Sequence, residues 1–330
     1  MRSLYTIAER FLVIMKRKII RTLSFLLILN LLIYSQGMVL AYAAESKTPD
    51  WLQYADGKEE EEITEEERLE QEKLEQWREK KKNIKVPILL YHHITNDELT
   101  EENSISLISP YDFRLHMTAI KTNFTPISLR QYYEYVLCDD GSVDIPNNPI
   151  IVTFDDGYSS NYELGYPILK ELNIPATIFV VTDTVGAVAG EGKVNYSHFT
   201  WEQAREMEAS GLIEIQSHTV SHVKVNELNF AEQVRQLRKS KYDIEKNLGH
   251  KCDMIAFPYG HYDENVKRIA KNSGYDVQLL VDDKTLESDY EVNLPSEGLE
   301  NLTRMTIAGN MGNVNVIEII RRTMSKKEIK

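Results

Sequence analysis

The chain has 330 residues, 42% of them hydrophobic and 27% charged, which allows one large core with extra segments. A formal net charge of −13 argues against nucleic acid as a partner, because surfaces that bind it are basic. Two cysteines, Cys138 and Cys252, are too few for a disulfide framework; whether they pair or remain two buried thiols stays open.

In chain order, the first segment reads as a targeting sequence. Residues 1–44 hold six Lys and Arg against one acidic residue. Lys16, Arg17, Lys18 and Arg21 precede a long apolar run, and Ala41-Tyr42-Ala43 offers a small-x-small cleavage site before Ala44. The run suits either a cleaved signal peptide or a retained membrane anchor. In both cases the basic flank stays cytoplasmic, so the remainder is expected outside the cytoplasmic membrane, secreted or anchored to its outer face. Residues 45–83 are predicted to form a charged linker or solvated helical stalk, because Glu, Gln, Lys, Arg and Leu dominate and the apolar positions are too sparse for a heptad seam. Residues 84–330 form the expected globular domain, with its motif-bearing core at about 148–330.

Within that domain the pattern alternates. Strands are predicted at 86–90, 150–154, 176–181, 212–215, 254–257, 276–281 and 302–307. Helices are predicted at 111–122, 162–172, 200–210, 230–248, 263–273 and 314–324, with Thr200 as an N-cap and Gly249 and Gly274 as stops. Alternation of this kind predicts an α/β fold with parallel strands and crossover helices, closing toward a β/α barrel. Polar clusters stand at the C-terminal ends of separate strands: His92-His93, Asp155-Asp156, His218 and Pro258-Tyr259-Gly260. In β/α barrels those ends converge on one mouth.

Two of the clusters carry chemistry. Thr153-Phe154-Asp155-Asp156-Gly157 supplies two carboxylates at a strand end that must turn. Ser217-His218-Thr219-Val220-Ser221-His222 supplies two imidazoles four residues apart, a spacing that fits one ion. One Asp with two His is a ligand set for a divalent metal with open positions, and the other Asp is then free to act as a base. That is a minimum kit for metal-assisted hydrolysis. Each cluster alone also has a bland reading, a turn for Asp-Asp-Gly and a solvated face for the histidines.

The order Thr153-Phe154-Asp155-Asp156, then Ser217-His218-Thr219-Val220-Ser221-His222, then Phe257-Pro258-Tyr259-Gly260 resembles the first three motifs of the polysaccharide deacetylase family, carbohydrate esterase family 4 with the NodB-homology domain. The resemblance implies a distorted (β/α) barrel, one divalent metal ion, commonly Zn2+, and hydrolysis of N-acetyl groups on a glycan polymer. By position it makes Asp155 the general base and Asp156, His218 and His222 the metal ligands, with the backbone N–H of Tyr259 as an oxyanion donor. The upstream Tyr91-His92-His93-Ile94 resembles the exported subgroup that deacetylates poly-β-1,6-N-acetylglucosamine in biofilms. Two departures stand out. Ala256 occupies the position of an orienting arginine, a charge that Arg304 is expected to replace, and no histidine follows residue 261 to serve as the usual general acid. His92, His93 and His261 are the candidates for that acid. Peptidoglycan or chitin-oligomer deacetylation, and an inactive glycan-binding module, are the rival readings.

Overall fold

A computed structural model describes residues 64–97, 106–188, 196–281, 292–307, 309 and 313–325. The expected leader over 1–44, and the linker as far as residue 63, lie outside the described residues. Among the described residues no helix is long and apolar enough to cross a membrane.

The architecture grows from short, apolar strands that are buried on both faces. β1 (Ile88–Tyr91), β5 (Pro149–Phe154) and β6 (Ala176–Val180) have no exposed residue. This is the signature of parallel strands sandwiched between layers. β2 (His93–Ile94) and β3 (Leu107–Ile108) form a separate small parallel pair, and β4 (Thr125–Pro126) pairs with the start of β5. β7 (Ile213–Ser217), β8 (Met254–Ala256), β9 (Val277–Leu279) and β10 (Met305–Thr306) complete the main sheet. Its order is β10-β1-β5-β6-β7-β8-β9, and every pairing is parallel. Leu302 bridges β9 at Leu279, and three residues later Met305 pairs with Leu89 of β1. One short stretch of chain therefore touches both edges of the sheet and curls it into the expected distorted barrel.

Side chains alternate across each strand. Ile88, Ile151, Phe179, Met254, Ala256 and Leu279 belong to one buried cluster, and Leu89, Val152, Phe154, Ile178, Val180 and Ile255 to the other. The same alternation places Asp155 on the side of Ile151 and Thr153.

The helices are α1 (Glu65–Asn83), α2 (Pro110–Asn123), α3 (Leu129–Leu137), α4 (Tyr166–Leu172), α5 (Trp201–Ala209), α6 (Phe230–Leu248), α7 (Glu264–Asn272) and α8 (Asn313–Ser325). Thr200 caps α5 through a full capping box with Gln203, and Gly249 ends α6 in a left-handed conformation, as the sequence predicts. The helix expected at 162–172 instead begins as a π turn, Asn161–Gly165, and Pro167 sits in the first turn of α4, where its missing N–H costs nothing. α3 is absent from the expected elements; its own capping box, Ser128 with Gln131, is the signal that marks it.

The larger difference concerns the expected stalk. Its second half, α1, is not a solvated spacer but packs on the domain. Trp77 is only 8% exposed, donates from Nε1 to the Val143 carbonyl at 2.8 Å and stands edge-on to Tyr135. Lys80 pairs with Asp144 at 2.8 Å, and Lys81 donates to the carbonyls of Val136 and Cys138. Burial of one large aromatic offsets an otherwise polar helix, which is why sparse apolar positions misled the expectation. Cys138 and Cys252 are both buried free thiols.

Candidate active site

β5 ends at Phe154, and the chain turns there through Asp155, Asp156 and Gly157. Asp156 and Gly157 are both left-handed, with φ of 71° and 78°. A Cβ on Gly157 would meet Val180 Cγ1 at 2.9 Å, so the turn needs glycine. β7 runs to Ser217, two residues beyond its expected end, and delivers His218 directly at the mouth. Five described residues other than glycine have positive φ, and four of them, Asp156, Thr219, His222 and Tyr259, lie here. Each such position costs about 1–3 kcal/mol, and strain of this kind concentrates where side chains must be aimed.

Asp156, His218 and His222 come together, with one ligand atom from each lying within 4.8 Å of the others. His218 Nε2 is 3.6 Å, and His222 Nε2 3.3 Å, from Asp156 Oδ1. That oxygen is buried and makes no hydrogen bond. The far nitrogens of both rings are occupied: His218 Nδ1 is 2.8 Å from the Ala256 carbonyl, and His222 Nδ1 is 3.1 Å from the Tyr259 hydroxyl. A carbonyl accepts only, so His218 carries its proton on Nδ1 and turns a bare Nε2 toward Asp156. Burial lowers the His218 pKa against the opposing pull of Asp155 and Asp156, which favours the neutral, ligating form. An orphaned carboxylate oxygen with two oriented imidazoles fits a divalent cation of the zinc class.

Asp155 has a different environment. It is 1% exposed, and Arg304 forks onto it, with Nη1 to Oδ1 at 2.6 Å and Nη2 to Oδ2 at 2.7 Å. Arg304 Nε is in turn fixed by the Leu280 carbonyl at 3.1 Å. Burial alone would raise the Asp155 carboxyl. The charge and hydrogen bonds of Arg304, with His218 and His92, outweigh it and hold the group well below the usual carboxylate range. The guanidinium thus arrives from the barrel seam rather than from Ala256, whose side chain carries no charge.

The histidine candidates separate. His92 lies near enough for its charge to lower Asp155, and its buried Nδ1 has no hydrogen-bond partner. His93 is held by Ser160, with its Nδ1 2.8 Å from Oγ, and is packed against Tyr158 and Tyr196; burial pushes its pKa down to about 4. His261 neighbours the Tyr259 ring, with the centroids 6.4 Å apart. Of the three, His92 is the one that bears on the Asp155 carboxyl and keeps a buried ring nitrogen without a hydrogen-bond partner. Sequence reasoning did not single out the side chain of Tyr259, which is 50% exposed and partners His222, nor Tyr196 and His198, which pack on Tyr158. The aromatic spacing in Tyr-x-His over 196–198 is the only trace of the latter pair.

Residues 142–278 match the family model described as polysaccharide deacetylase. The Bacillus subtilis (strain 168) protein YxkH is 27% identical over 287 residues, 86% of this chain and 94% of that one. The poly-beta-1,6-N-acetyl-D-glucosamine N-deacetylase of Staphylococcus aureus (strain MSSA476) is 28% identical over 158 residues, 44% of this chain and 53% of that enzyme. Among solved structures, the Streptococcus pyogenes deacetylase PplD in complex with acetate superposes with a TM-score of 0.60 at 24% identity, covering 74% of this chain and 100% of that one. IcaB from Ammonifex degensii gives a TM-score of 0.59 at 22% identity, covering 73% and 97%. These two likenesses establish the fold.

Proposed function

We propose that this chain, whose residues 142–278 match the polysaccharide deacetylase family model, removes acetyl groups from an extracytoplasmic poly-N-acetylglucosamine-type polymer with the help of one divalent metal ion, Zn2+ by donor chemistry. The observation that carries the reading is the pairing of an unsaturated Asp156–His218–His222 cluster with a separate carboxylate, Asp155, kept ionised by Arg304. Two acidic residues adjacent in sequence are given opposite tasks by their surroundings, the pattern expected when one ligates and the other takes a proton. The likeness to the Staphylococcus aureus enzyme supports the substrate class. The basic, apolar N-terminus supports the location.

Asp156, His218 and His222 would hold the metal. When bound it supplies a Lewis acid that acidifies water and polarises an acetamide carbonyl. Asp155, ionised at neutral pH, accepts the proton of the attacking water. The backbone N–H of Tyr259, set in a left-handed turn at φ 58°, donates to the oxygen on which negative charge develops. We assign His92 the return of a proton to the departing amine, so the C–N bond breaks without expelling an amide anion.

The residues from 83 to 330 hold 24 Lys and Arg against 36 Asp and Glu, a balance of about −12. Such a surface tolerates a neutral glycan and attracts one already carrying free amines. The test is acetate release from β-1,6-linked N-acetylglucosamine oligomers, compared with chitin oligomers and peptidoglycan, with and without chelator. Release from the β-1,6 oligomers that chelator abolishes is the expected result. Preference for peptidoglycan or chitin would reassign the substrate, activity indifferent to chelator would remove the metal, and activity confined to the cytosolic fraction would remove the location.

A further inference from the structure

The turn from His218 to His222 places two imidazoles, yet two of its residues, Thr219 and His222, have left-handed backbones with φ of 70° and 52°. Neither is glycine, so the turn does not favour this shape by itself. On one side its carbonyls are gripped by the chain after β6: the Thr182 N–H donates to Thr219 at 3.2 Å and the Asp183 N–H to Val220 at 2.9 Å. On the other side Ser217 Oγ accepts from the Thr219 N–H at 3.2 Å, and a side chain from a remote helix holds the rest. Gln236, 1% exposed on α6, accepts at Oε1 from the N–H groups of Val220 and Ser221, at 3.0 and 3.1 Å. Its Nε2 donates to Ser221 Oγ at 2.7 Å and to Glu232 Oε1 at 3.2 Å. Both ends of the amide are used, three of its bonds go to the turn, and all three fall between the two histidines.

We infer that Gln236 is a positioning residue for the metal centre: its amide locks the 218–222 turn in the one conformation that brings His218 Nε2 and His222 Nε2 together at Asp156. The inference rests on the metal-binding reading of that cluster. A partner one step behind the ligands changes affinity through geometry, by about 10–100-fold when removed. Gln233, one turn earlier on α6, provides the control. It is also buried, but its Nε2 donates to the Val225 carbonyl at 3.1 Å, outside the turn that carries the ligands.

The experiment titrates the full-length protein with Zn2+ against a chromophoric chelator, beside thermal melting of the metal-free form. Gln236→Met is expected to weaken Zn2+ binding about 10–100-fold. Gln233→Met is expected to lower the melting temperature comparably and leave the affinity at the parent value. If Gln236→Met does not fold, Gln236→Asn against Gln233→Asn decides in the same way, since the shortened amide cannot reach the turn. Parental affinity in a folded Gln236→Met or Gln236→Asn, or equal weakening from the Gln233 control, overturns the inference. A parent protein that binds no Zn2+, or binds it unchanged in His218→Ala, overturns the metal centre itself and this inference with it.

Discussion

Replacing Arg304 by methionine isolates the electrostatics of Asp155, the proposed base. The substitution leaves Asp155 in a site 1% exposed and removes both of its guanidinium hydrogen bonds, at 2.6 and 2.7 Å. Charge-assisted bonds contribute about 1.5–3 kcal/mol each, and breaking one partner of a buried pair costs about 3–5 kcal/mol overall. The loss depends on pH, and its sign is fixed. In the parent the Asp155 pKa is depressed, so the group contributes stability above its unfolded value, near about 4, and that contribution is lost as pH falls through the depressed value. In Arg304→Met burial acts without the compensating cation, and the folded pKa rises above the unfolded one. The carboxyl is then tolerated at low pH as the neutral acid and becomes a liability as pH rises. The stability difference between parent and variant should widen by about 1.4 kcal/mol per pH unit, from the parent's depressed pKa up to the variant's raised one, because the unfolded carboxyl is common to both. Urea denaturation of both proteins at several pH values measures this directly. Turnover should follow, with the acid limb of the rate profile shifted upward in the variant because the base is protonated at neutral pH. A deficit below about 1 kcal/mol at pH 7, or one that does not change with pH, would refute the pairing of Arg304 with Asp155 as the term that keeps the base ionised.

Asp155→Asn should retain Zn2+ at parental affinity in a chelator competition while acetate release drops by about 10²–10⁴, the usual contribution of a positioned base. Tyr259→Phe removes the hydroxyl that partners His222 Nδ1 and should weaken Zn2+ binding about 10–100-fold, with the melting temperature of the metal-free protein unchanged because the ring is half exposed. Trp77→Ala should destabilise the protein by about 3–5 kcal/mol in urea, since it empties the site between α1 and Tyr135; a loss near zero would mean that α1 does not contribute to folding.

The barrel strands were legible because doubly buried parallel strands read as unbroken apolar runs, and residues 150–154 and 176–180 are such runs. Asp155, Asp156, His218 and His222 were legible as positions because polar residues directly after such runs have nowhere to be but the mouth. Arg304 could be named because one charge was missing at Ala256 and only a late strand offered a replacement. What the sequence did not disclose depends on where remote elements land after a crossover. Gln236 looks like any helix glutamine until α6 is laid against the end of β7. The Tyr259 hydroxyl meets His222 only because two separate left-handed turns face each other. α1 looked solvated because one buried tryptophan contributes little to an average over a helix of charges. His93, adjacent to His92, took a structural place beside Ser160, since neighbouring residues on an extended strand point to opposite sides.

Leu302 bridges Leu279 of β9, Met305 pairs with Leu89 of β1, and Arg304, between them, forks onto Asp155 at the end of β5. The residue that holds the carboxylate thus lies in the stretch that joins the two ends of the sheet. Loosening that joint and withdrawing the charge from Asp155 are then a single event.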